Sequence, residues 1–98
     1  MANQQRTYLK LLLKGPPGFE RALPDLQQDL ELRHWEDLSI TWNQQANGLV
    51  IETQFGSSKV DLIAKHFQEE LFESACGVLT SVQGMRVEIL DARLLPTD

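Results

Sequence analysis

From Thr7 to Lys14 the chain alternates, with Leu9, Leu11 and Leu13 pointing one way and Tyr8, Lys10, Leu12 and Lys14 the other. A period of two over this stretch predicts a strand with one buried face. Gly15-Pro16-Pro17-Gly18 ends it, because proline supplies no N–H to a sheet ladder and the glycines let the chain turn. Phe19, Ala22, Leu23, Leu26 and Leu30 then recur at helical spacing, separated by Glu20, Arg21, Asp25, Gln27, Gln28 and Asp29. Pro24 interrupts the stripe. Inside a helix it costs about 3 kcal/mol, so the pattern predicts either a kink or a first turn followed by a second helix beginning near Pro24.

Leu38, Ile40 and Trp42 alternate with Ser39, Thr41 and Asn43, and beyond Asn47-Gly48 a second run, Leu49, Ile51, Thr53 and Phe55, alternates with Val50, Glu52 and Gln54. Asn-Gly between two such runs predicts a hairpin closed by a type I′ turn, with positive φ at both central residues. A two-residue turn pairs Ala46 with Leu49, Gln44 with Ile51, Trp42 with Thr53 and Ile40 with Phe55. Directly opposed residues share a face, so Ile40, Trp42, Leu49, Ile51 and Phe55 are expected together. After Gly56-Ser57-Ser58, a stripe of Val60, Ile63, Ala64, Phe67, Leu71, Ala75 and Val78 predicts a second helix, with Phe72 and Leu79 widening it. Ser58 is its expected N-cap, Asp61 suits its positive end, and Gly77 is its expected stop, although the pattern permits continuation toward Ser81. Met85 to Leu95 reads as a last strand, with Val87 and Ile89 on one face and Arg86, Glu88 and Leu90 on the other.

The order is strand, helix, strand, strand, helix, strand. Across residues 7–95 it resembles, in topology and without any family motif, the ferredoxin-like βαββαβ sandwich. That resemblance implies an α+β fold, a four-stranded antiparallel sheet with two helices on one face. Residues 1–6 and 96–98 read as polar tails around a single domain at 7–95.

Ninety-eight residues are enough for one core without disulfides or metals. Apolar residues at 42% and charged residues at 23% are ordinary globular usage, which argues against disorder. The single cysteine, Cys76, has no partner in the chain, which fits a reducing compartment. The polar opening and the short apolar run Leu11–Leu13 predict neither a leader nor a membrane span, so a cytoplasmic protein with no membrane partner is expected. A net charge of −5 sets the overall field against nucleic acid.

Candidate chemistry is sparse. His34 and His66 stand apart, at no metal-ligand spacing, and read as surface residues. Cys76 lies near a helix C-terminus, where the dipole disfavours a thiolate, and reads as a small, semi-buried helix residue. Glu69, Glu70 and Glu73 read as a solvated helix face. No nucleophile elbow or phosphate loop occurs, so no catalytic residue, metal or cofactor is expected. The strand-to-helix loop bounded by Gly15 and Gly18 is a candidate ligand site, at the position where ACT domains, small-molecule sensors of this topology, tend to hold effectors. Its two prolines remove N–H donors. On the sheet face away from the helices, Leu12, Val50 and Leu90 form an apolar strip rimmed by charge, with Tyr8 as the one aromatic candidate. An RNA recognition motif of this topology needs aromatics on its two central strands, which weakens that alternative. The sequence reading is a non-catalytic module that associates with itself or with a partner protein through this face or an edge strand, with an ACT-like sensor as the alternative.

Overall fold

The computed structural model describes residues 5–96; the parts of the expected tails at 1–4 and 97–98 lie outside the described residues. Strand β1 (Thr7–Lys14) leads through the proline loop into a 3-10 turn (Phe19–Ala22) and helix α1 (Leu23–Leu32). The hairpin β2 (Glu36–Asn43) and β3 (Gly48–Phe55), helix α2 (Val60–Val78) and strand β4 (Arg86–Leu94) complete the chain. The sheet order is β2-β3-β1-β4 with every neighbouring pair antiparallel, a ferredoxin-like α+β arrangement. Leu9, Leu11 and Leu13 of β1 and Leu49 and Ile51 of β3 form one core with Leu26 and Leu30 of α1 and Ala64, Phe67, Leu71 and Ala75 of α2. Each large side chain removed from water here contributes roughly 1.5–3 kcal/mol.

Pro24 resolves as the second of the two expected forms. The turn at Phe19–Ala22 ends before it, and Pro24 occupies the first turn of α1, where its missing N–H has no intrahelical acceptor to lose. At the other end of α1, His34 adopts φ 67. The His34 N–H reaches the Glu31 carbonyl at 3.0 Å and the Trp35 N–H reaches that of Leu30 at 3.2 Å, the paired bonds of a Schellman ending. Trp35 is thereby turned into the core, tilted against Phe67 at 4.6 Å between ring centroids, with its indole N–H on Glu70 at 2.7 Å.

The expected hairpin register is corrected. Trp42 lies opposite Leu49, Ile40 opposite Ile51 and Asn43 opposite Gly48. The connection is therefore the four residues Gln44–Asn47. The Asn43 carboxamide accepts the Ala46 N–H at 2.9 Å and the Gln44 carbonyl accepts the Asn47 N–H at 3.2 Å, so a local side-chain bond closes a longer turn. Asn47 has φ 53, whereas Gly48 is not in the left-handed region. Trp42 moves from Thr53 to Leu49, an even displacement, so the expected set of facing residues is kept.

Three further boundaries differ from expectation. The N-cap of α2 is Lys59 without a side-chain cap, because Ser58 sits one residue too early and its carbonyl accepts the Val60 N–H instead. Gly77 is inside α2, which runs on to Val78 before Leu79 turns extended. Strict alternation in β4 breaks at Leu90: Ile89 lies opposite Leu11 and Asp91 opposite Lys10, leaving Leu90 as the extra residue of a bulge. The bulge brings Ala92 opposite Leu9 and Leu94 opposite Thr7, on the helix side, while Asp91 and Arg93 join the charged face.

Candidate functional site

Among the described residues, two of the places with a shape that could receive something are the loop end of the sheet and the outer edge of β4. At the loop end, Pro16, Pro17 and Gly18 face Val78, Leu79, Thr80 and Ser81 across a cleft of about 380 Å³, with Arg21 at its side. Gly18 has φ +87, a conformation suited to glycine, and has open space where a Cβ would be. Gly15 is not among the residues lining this cleft. A Cβ there would lie 3.0 Å from the Phe19 ring, so Gly15 lets that ring close against the strand end.

The open face is organised in rows by the strand register. Tyr8 lies between Gln54 and Arg93, Lys10 between Glu52 and Asp91, and Leu12 between Val50 and Glu88. The Tyr8 hydroxyl donates to Glu52 at 2.7 Å and the Arg93 guanidinium stands over its ring at 5.0 Å. Burial pushes the Tyr8 phenol up to about 12, reinforced by the bond to Glu52 and by the charges of Glu52 and Asp91. At the end of this row Arg6 reaches Gln54, Glu36 and Asp37, at 3.2, 2.8 and 3.3 Å.

Leu12 and Val50, in the middle of the sheet, are only 4% and 5% exposed, whereas Leu90 is 47% exposed. The apolar strip therefore presents little of its central part. Leu12 leans over Gly48, where an added Cβ would lie 2.7 Å from its Cδ1. Its row is flanked on one strand by Lys10 and Lys14.

The residues singled out for chemistry stay apart. Cys76 is exposed, and among the described residues no group of three or more His, Cys, Asp or Glu could hold a metal ion. His66 pairs with Glu70 at 3.1 Å on the surface of α2. No helix is long and apolar enough to cross a membrane. Comparison of the chain with protein-family models, with curated proteins and with solved structures finds no match.

The second place was expected only as an unspecified edge strand, with Leu90 as the one residue of it named for an interaction surface. Strand β4 is an edge strand, and Ile89, Leu90 and Leu94 are 40%, 47% and 43% exposed. Beside it runs an open groove of about 500 Å³ between α2 and β4, lined by Gln68, Phe72, Met85 and Val87 among others. Phe72, read from the sequence as a flank of the helix stripe, is 42% exposed there. The available signal was the change of phase in the sequence, with Val87 and Ile89 followed by Ala92 and Leu94.

Proposed function

We propose that the protein is a non-catalytic association module and that its contact surface is the outer edge of β4. The observation that carries this reading is the concentration of exposed apolar side chains on that edge. Ile89, Leu90 and Leu94 make up three of the eight large hydrophobics exposed in the described structure. An edge strand also offers unpaired backbone N–H and C=O groups, and partners commonly meet such groups by adding a strand. The groove beside β4 gives the added strand's side chains an apolar place to rest. Dispersed histidines, an exposed lone cysteine and a core of aliphatic and aromatic side chains support a role by contact rather than by catalysis.

The test is a photo-reactive residue placed at Leu90 and, as a control, at Leu32, an exposed leucine on α1. The expected result is a covalent adduct from position 90 and none from position 32, lost when Ile89 and Leu94 are both changed to Asp. No adduct from position 90 in the cells that make the protein refutes the reading.

One observation favours a second reading, a small-molecule sensor. The loop expected to hold an effector does line a cleft, with Arg21, Thr80 and Ser81 as its polar groups. A panel of amino acids and small anions that leaves the melting temperature unmoved would remove it.

A further inference from the structure

Resting on that association reading, we propose that the strand added to β4 is β4 of a second copy of this chain. The two strands run antiparallel about a two-fold axis, with Val87 opposite Leu94, Ile89 opposite Ala92 and Glu88 opposite Arg93.

Three observations lead to this register. The first is the direction of the backbone groups. The Val87 carbonyl is turned away from β1, since it accepts the Gln68 side-chain N–H at 2.9 Å. The Leu95 N–H is turned toward β1, donating to the Arg6 carbonyl at 2.9 Å, so Leu94 faces outward. Backbone groups alternate along a strand, and Leu90 is the one extra residue, so the outward set is Val87, Ile89, Ala92 and Leu94. In the proposed register each of these meets another member of the set, and N–H and C=O groups can be exchanged at every one. The Val87 carbonyl has a second lone pair for this.

The second observation is charge. Along the open face β4 carries Arg86, Glu88, Asp91 and Arg93, the outer two basic and the inner two acidic. Both closely spaced pairs are satisfied within the strand, Arg86 on Glu88 at 3.3 Å and Arg93 on Asp91 at 3.1 Å. Because the bulge shifts the phase by one residue, only the two registers whose two-fold axis falls immediately before or immediately after Leu90 keep both faces matched. The proposed one, with its axis between Leu90 and Asp91, sets Leu90 opposite Asp91 of the second copy. One of them sets Glu88 against Asp91 and Arg86 against Arg93, like against like. The other sets Glu88 against Arg93 at both ends of the interface. Cross-strand pairs of opposite sign are favourable and like charges directly opposed are not, so the second is selected.

The third is shape. Leu94 of the second copy, opposite Val87, lies at the groove lined by Phe72, Met85 and Val87, and the symmetry repeats this at the other end. On the helix side the opposed pairs are then all apolar.

The experiment is absolute mass by light scattering over a dilution series, on the wild type, Glu88→Arg, Arg93→Glu and an equimolar mixture of the two variants. The expected wild-type species is a dimer, twice the 11.2 kDa chain. Each single variant opposes like charges twice and is expected to dissociate at concentrations roughly tenfold higher. The mixture is expected to recover the dimer, because in the mixed pair each reversed charge faces its opposite. Recovery on mixing also requires that both variants are folded. A wild type that is monomeric up to millimolar concentration overturns the inference, as does a dimer indifferent to both reversals. A monomer that still gives a position-90 adduct with a different protein leaves the association reading standing without a second copy. Absence of any such adduct removes the association reading as well.

Discussion

Gly48 is where the sequence and the structure explain the same residue differently, and replacing it with alanine separates the two. In a two-residue type I′ turn Gly48 would be needed for its positive φ. In the observed four-residue turn it is an ordinary strand residue pressed against β1. A Cβ at Gly48 would lie 2.7 Å from Leu12 Cδ1 and 2.8 Å from the Leu13 carbonyl oxygen. The first neighbour is the tip of a side chain that can rotate. The second is backbone in a central strand, paired on both sides, and it must retreat by roughly half an ångström to reach ordinary contact. Overpacking of this kind costs about 1–3 kcal/mol. Alanine recovers about 0.4–1 kcal/mol by restricting the unfolded chain. The expected net loss for Gly48→Ala is about 1–2 kcal/mol, roughly 4–16 °C in melting temperature for a domain of this size. The assay is urea unfolding followed by the fluorescence of Trp35 and Trp42, the two tryptophans of the chain. Crowding also predicts coupling, so Leu12→Ala should cost less in the Gly48→Ala background than alone. A Gly48→Ala protein within about 0.5 kcal/mol of wild type, the range of an ordinary surface change, refutes the crowding argument. A clear loss without coupling to Leu12 would place the strain in the backbone alone.

The remaining predictions concern two titrating groups. Tyr8 is the only tyrosine, so phenolate absorbance reports it directly; the midpoint should lie at about 12 rather than 10.0, and move back toward 10.0 in Glu52→Gln. A raised folded value means the folded state holds the proton more tightly. The contribution of Tyr8 is therefore complete below pH 10.0 and lost as pH rises toward about 12, and Tyr8→Phe should flatten the fall in urea midpoint across that window. A wild-type midpoint at the ordinary tyrosine value would sink this account. Asp29 behaves in the opposite sense: the Ser74 hydroxyl, then the Arg33 guanidinium, hold its carboxyl below the ordinary 3.8. Its contribution is present above 3.8 and lost as pH falls through the lower folded value. Ser74→Ala should cost about 1 kcal/mol at neutral pH, less than the roughly 1.5–3 kcal/mol of a bond to a buried charged group because Asp29 keeps some water. It should also make the acid loss shallower, and urea unfolding in acid with an unchanged slope would contradict the assignment.

What the sequence made legible was mostly parity, and what it hid was mostly displacement. Leu9, Leu11, Leu13, Leu49 and Ile51 were assigned to one face by alternation, and all of them are in the core. The hairpin register nevertheless came out four residues away from its Asn-Gly signal, because Asn43 captures the Ala46 N–H and a local side-chain bond of that kind leaves no hydrophobic trace. The shift is even, so the faces survived it. His34 shows a similar limit. Its φ of 67 at the end of α1 is a place where glycine or asparagine is usual, and the reward for holding it there is the burial of Trp35 beyond it. Nothing local to His34 announces that burial.

The site was less legible than the fold, for a reason that lies in how alternation assigns exposure. Period two says which way a side chain points, but exposure also depends on what stands beside it. Leu12 and Val50 point away from the helices, yet they lie in the two central strands and are almost wholly covered. Ile89 points toward the helix side by alternation and Leu94 does so because of the bulge, yet both lie on an edge strand and remain 40% and 43% exposed. The other edge is treated differently. In β2 one extra residue is taken up at Asp37–Leu38, Asp37 takes φ 49, and Arg6 ties Glu36 and Asp37 to the sheet. A bulge with charge at one end of a strand is a common way to discourage further pairing. The bulge of β4 lies near the middle of its strand and has the reverse effect on composition: it turns Ala92 and Leu94 to the same side as Val87 and Ile89, and so extends the apolar edge instead of interrupting it. Were Leu90 held in strict alternation instead of bulged, Asp91 and Arg93 would stand on that side in place of Ala92 and Leu94. The edge would then carry charge where a second strand must pack, and the same irregularity that obscured the site in the sequence is what makes the edge fit to be paired.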